Sequence, residues 1–166
     1  MPPNPDFKDL LQAFDEEKVE YLIIGAYAVF QYAEPRTTKD LDVWVNPAPD
    51  NARRVFRALA KFGAPLGNTD AAFFTNLTMV YQIGVDPNRI DILTGVGGLD
   101  FAAAWERRVE STFGGVPIHV IGRDDLIQSK KIAGRWRDLL DIELLRKHEG
   151  SSVSTPKAPS KRRKKK

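Results

Sequence analysis

Hydrophobic positions along this chain alternate between two rhythms, a helical one and a strand-like one of short, nearly unbroken apolar runs. Residues 7–17 carry Leu10, Leu11 and Phe14 at helical spacing, with Asp6 as the expected N-cap. Residues 19–24 then read as a buried strand, and Gly25 opens a second helix through residue 33, which Pro35 ends. A strand over 40–45 stops at Asn46-Pro47, and Asp50 caps a helix that buries Val55, Leu59 and Phe62 and closes at Gly63. Residues 75–84 and 89–93 predict a strand pair joined by the turn-forming Val85-Asp86-Pro87-Asn88. A helix over 99–108, a strand over 116–121, a helix over 125–133 ended by Gly134 and a last helix over 138–147, with Leu139, Ile142 and Leu145 inward, complete the pattern. Strands interleaved with helices predict an α/β or α+β class, a short mixed sheet flanked by helices.

The strand rhythm also sorts polar side chains. In residues 40–45, Asp40 and Asp42 share one face while Leu41, Val43 and Val45 occupy the other. Two carboxylates about 5 Å apart at an effective dielectric near 20 repel by roughly 3 kcal/mol, so a partly buried pair calls for a cation. Mg²⁺, which prefers oxygen ligands and is commonly held by one or two carboxylates plus substrate phosphates, suits them. A third acid, Asp91, sits between Ile90 and Ile92, on the face that Arg89 and Leu93 share. Gly25 stands at a strand-to-helix junction, where a backbone without Cβ can come close to a phosphate.

Composition narrows the chemistry. The 166 residues, 42% of them hydrophobic and 28% charged, suit one cored domain over residues 1–150. Zero cysteines exclude disulfides and thiolate metal sites, and two histidines leave little for a histidine-built one. Any metal site must be built from carboxylates. No apolar stretch approaches a membrane span and the acidic, Pro-rich start lacks signal-peptide character, so a cytoplasmic protein with no membrane partner is expected. Residues 151–166 hold seven Lys or Arg and no acid, leaving 18 basic and 22 acidic residues elsewhere, a net of −4 against +3 for the whole chain. This segment is expected to be a disordered tail with salt-sensitive affinity for polyanions.

Gly25-Ala26, Asp40-Leu41-Asp42 and Asp91 together resemble the three-carboxylate signature of the nucleotidyltransferase superfamily, the DNA-polymerase-beta-like fold. Pro35-Arg36-Thr37-Thr38-Lys39 ahead of the acid strand, and Lys130, Gly134-Arg135 and Asp138-Leu139-Leu140-Asp141 further on, are similar to small bacterial members near the AbiEii toxin branch. The resemblance spans roughly residues 7–147 and implies a nucleotidyltransferase fold. It implies two Mg²⁺ ions, or Mn²⁺ in their place, on Asp40, Asp42 and Asp91, and a nucleoside triphosphate held by Gly25, Ala26, Arg36 and Lys130. Asp40, Asp42, Asp91, Lys130 and Asp138 become the candidate catalytic residues. The implied acceptor is a hydroxyl on RNA such as tRNA, on a protein or on a small molecule, and an antitoxin protein is an implied partner. Ala26 stands where the family commonly has Ser or Gly, which removes a hydroxyl from the phosphate site. A catalytically silent binding or regulatory module is therefore the alternative. Asp138 also has a simpler reading, as an acid in the first turn of a helix. Phe73, Phe74, Trp105 and Trp136 are read as core or interface aromatics, and His119 as an outward strand residue.

Overall fold

The computed structural model describes residues 4–33, 40–85 and 87–147. Arg36 and the basic 151–166 segment lie outside them.

The first helix, α1 (Pro5–Glu16), buries Phe7, Leu10, Leu11 and Phe14 as their spacing requires. Its cap is Asn4 rather than Asp6: the Asn4 side-chain oxygen accepts from the N–H groups of Asp6 and Phe7, and Pro5 occupies the first turn, where its missing N–H is harmless. Strand β1 (Tyr21–Ile24) is buried throughout and runs directly into α2 (Gly25–Val29), a single turn that stops four residues before the expected end. β2 (Leu41–Val45) follows, then α3 (Pro49–Phe62). Ala48, not Asp50, is the N-cap of α3 and supplies no side-chain bond. Buried Asn51 ties this end down instead, accepting from Glu20 N–H at 2.7 Å and donating to the carbonyls of Glu20 and Asn46 at 3.0 and 2.9 Å. Gly63 closes the helix in the left-handed conformation, as expected.

The long strand expected over 75–84 is shorter. A 3-10 turn (Ala71–Thr75) buries Phe74, and only Val80–Ile83 pairs, as β3. After β4 (Ile90–Leu93) and α4 (Phe101–Glu106) comes β5 (Val109–Phe113), absent from the sequence reading, which forms an antiparallel hairpin with β6 (Val116–Val120). α5 (Arg123–Ala133) and α6 (Trp136–Lys147) pack on each other and against α2. Within α6, Ile142 and Leu145 point inward, but Leu139 is 54% exposed.

The six strands form one mixed sheet in the order β3-β4-β2-β1-β6-β5. β1 lies antiparallel to β2, β2 parallel to β4, and β1 parallel to β6, the last joined at the single register pair Ile23 with Val120 and by Ile121 N–H to Ile23 O at 3.1 Å. Central β1 and β2, buried on both faces, read as apolar runs interrupted only by Asp42. Among the described residues no helix is long and apolar enough to cross a membrane.

Candidate active site

Register brings Asp42 and Asp91 together. β2 and β4 run parallel with Asp42 directly opposite Asp91, and the antiparallel β1–β2 pairing sets Ile24, the residue before Gly25, opposite Asp42. Asp40 immediately precedes β2. The glycine at this corner is required twice over. Its φ is +69°, and a Cβ added there would collide with Asp42 Oδ2. Gly25 thus makes room for a carboxylate, and α2, one turn long, offers less of a helix dipole than the sequence suggested.

Asp42 is the most perturbed of the acids. Burial, the negative charges of Asp91 and Asp40, and a hydrogen bond shared with Asp91 push its pKa up to about 6, against the opposing charge of Arg135. Asp91, 8% exposed, is gripped by Arg89: Nε lies 3.1 Å from Oδ1 and Nη2 lies 3.2 Å from Oδ2. The same Nη2 is 3.0 Å from Asp40 Oδ2, so one guanidinium bridges two of the three acids. The strand rhythm puts Arg89 on the Asp91 face but gives it no role. The signal was its position two residues before an acid on the same strand face.

The donor chemistry fits a divalent cation. With Asp40 and Asp91 turned to Arg89, no three acid or histidine side chains among the described residues form a ready-made ligand cluster. Asp42 and Asp91 nevertheless lie within hydrogen-bond reach of each other, and their mutual repulsion is what a cation relieves. Two carboxylates completed by substrate phosphates are a usual Mg²⁺ donor set.

Lys130 and Asp138 lie in a second cluster. Lys130 Nζ is 2.8 Å from Asp141 Oδ2 and 3.5 Å from Asp138 Oδ1, with side-chain exposures of 5%, 2% and 5% for Lys130, Asp141 and Asp138. Lys130 is therefore an interior ion-pair residue tying α5 to α6, not an outward point charge. Asp138 also accepts from the Arg135 backbone N–H at 3.1 Å and from Arg135 Nε at 2.8 Å. Burial raises the Asp138 pKa, but the hydrogen bonds and charge of Arg135, with Lys130, overcome it and hold the carboxyl below its ordinary value. Arg135, with its side chain 77% exposed, links the two clusters, since its charge is felt at Asp42. Trp136, next to it, is 70% exposed and is no core residue, whereas His119 is not outward but packs on Tyr21 and Trp105 at ring separations of 5.2 and 5.0 Å. A surface cavity of about 520 Å³, lined in part by Asn68, Phe73 and Met79, contains none of the acids.

No protein-family model and no curated protein sequence matches the chain. Its fold, however, is similar to solved structures. A candidate nucleotidyltransferase from Thermotoga maritima superimposes with a TM-score of 0.56 at 17% identity, over 85% of this chain and 88% of that one. Lincosamide antibiotic adenylyltransferase LnuA bound to lincomycin gives 0.55 at 13% identity, over 87% and 97% of the two chains. ANT(2″)-Ia in complex with adenylyl-2″-tobramycin gives 0.57 at 13% identity, over 88% of each. The six-stranded mixed sheet with its flanking helices is the nucleotidyltransferase fold.

Proposed function

We propose that this protein transfers a nucleoside monophosphate from a nucleoside triphosphate to a hydroxyl-bearing acceptor, with Asp40, Asp42 and Asp91 forming the reaction centre. The observation that carries this reading is the register that sets Asp42 beside Asp91, next to a glycine whose missing Cβ leaves room for the Asp42 carboxylate. Structural packing alone gives no reason to bury two adjacent carboxylates. Fold neighbours whose structures hold lincomycin or adenylylated tobramycin support a small hydroxylated acceptor. The Lys130–Asp138 spacing that resembles the AbiEii branch keeps RNA, protein and an antitoxin partner as finer alternatives.

In this reaction the acceptor oxygen attacks the α-phosphorus, the α–β phosphoanhydride bond breaks, and pyrophosphate leaves. The acceptor proton passes to Asp91. Asp40, Asp42 and Asp91 would hold a divalent cation, which would neutralise the charge that develops on the phosphates. The backbone N–H groups of Gly25 and Ala26 would bind the phosphates, and Arg36, outside the described residues, is a further phosphate ligand on the resemblance alone. Arg135 offers an exposed cation whose charge is felt at Asp42, and Asp138, itself paired with Lys130, acts as the positioning residue that holds it.

Calorimetric titration of each NTP, with and without Mg²⁺, into the wild type and Asp42→Asn tests the reading. Mg²⁺-dependent binding in the wild type that the folded variant loses is the expected result. Equal Mg²⁺-dependent binding in the variant, or none in either protein, would move the assignment to a silent scaffold.

A further inference from the structure

Arg89 lies among the three carboxylates and takes no part in the transfer itself. Its guanidinium engages Asp91 through two nitrogens at 3.1 and 3.2 Å and shares one of them with Asp40 at 3.0 Å. Two of the three carboxylates expected to face a cation therefore face an arginine. The arrangement is built in by the strand: Arg89 and Asp91 stand on one face at a spacing of two, and Arg89 O accepts the N–H of Leu41 at 3.0 Å, which fastens the start of β2 beside it. The side chain is 31% exposed, so the guanidinium sits at the solvent side of the acids and not within the core.

Resting on the metal-dependent reading, we propose that Arg89 is a resident counter-cation: its guanidinium occupies the place of the divalent ion, and cation uptake is an exchange in which Arg89 releases Asp40 and Asp91. Two consequences separate this from a generic positive charge. The arginine holds the acids together when no cation is present, and it sets the affinity for the incoming cation by competing for the same oxygens. A fork that spans two carboxylates is a property of guanidinium; lysine carries the same charge but is a compact point donor that cannot reproduce the planar fork on Asp91 while also serving Asp40.

The test is Mn²⁺ binding to the full chain without nucleotide, read from the EPR signal of free Mn²⁺, for wild type, Arg89→Lys, Arg89→Met and Asp42→Asn. Arg89→Lys is expected to bind Mn²⁺ about tenfold tighter than wild type or better, at unchanged net charge, and to melt at a lower temperature in chelator. Arg89→Met is expected to bind at least as tightly, and Asp42→Asn to lose binding. A folded Arg89→Lys with wild-type or weaker affinity overturns the exchange while leaving the metal site standing. Failure of wild type and both Arg89 variants to bind removes the metal site itself, and the exchange with it. If Arg89→Lys does not fold, the Nε–Hε resonance of Arg89 in wild type decides: a saturable shift on Mg²⁺ addition supports exchange, and an unmoved resonance refutes it.

Discussion

At the scale of single residues, Asp42 couples this site to pH. Its pKa of about 6 in the folded chain lies above the ordinary 3.8, so between those values the folded state keeps a proton that the unfolded state has lost. Stability of the cation-free protein should therefore fall as pH rises from about 4 to about 6 and level off above, by up to about 3 kcal/mol from this group. Urea unfolding in chelator across that range measures it; a flat profile would mean that the acids are better solvated than their burial implies. Gly25 gives a sharper expectation. Alanine there must adopt a left-handed backbone and displace the Asp42 carboxylate, so Gly25→Ala should lose about 2 kcal/mol or more of stability in denaturant unfolding. Both residues could be found in the sequence. The reason for the glycine could not, because the contact with Asp42 exists only once β1 and β2 pair in the observed register.

At the scale of elements, the α5–α6 pair is held from inside by charge. Removing Lys130 takes its ammonium from two acids with almost no solvent access, Asp138 keeping Arg135, so Lys130→Met should destabilise by up to about 3 to 5 kcal/mol in chemical denaturation. Replacing all three of Lys130, Asp138 and Asp141 by apolar residues of similar size should recover much of that loss. If Lys130→Met unfolds like wild type, the pair is wetter than the structure places it. This cluster also marks where local sequence reading stops. Lys130 and Asp138 were legible as candidates, but their burial depends on how α6 folds back on α5, which no periodicity within either helix reports. β5 escaped for a related reason: Val109–Phe113 alternates half-buried and exposed positions at the sheet edge, so it lacks the apolar run that betrayed β1 and β2. The N-caps, Asn4 and Ala48, stand two residues ahead of Asp6 and Asp50, acids that sit inside the first turn and imitate a cap in the sequence.

For the whole molecule, the class and the acid-bearing strands followed from pattern, since central strands buried on both faces must be apolar and any carboxylate among them stands out. Strand order did not follow, because parallel neighbours are joined by long connections that leave no local trace. That order divides the sheet into a β3-β4-β2-β1 portion and the β5–β6 hairpin, which meet at one short parallel seam between β1 and β6. In native-state hydrogen exchange, the amides of β5 and β6 should open as a group at lower free energy than those of β1, β2 and β4. Exchange of all six strands together at the global unfolding free energy would show the seam to be as strong as the rest.

The seam also has a history in time. β1 is made before any other strand of the sheet and its β6 partner after all the others, so one edge of the buried Tyr21–Ile24 strand waits, unpaired, while the intervening chain is made. The nascent protein, rather than the finished one, is where this fold is most exposed to mispairing, and delayed or truncated synthesis before Val116 would leave that apolar edge open to another chain.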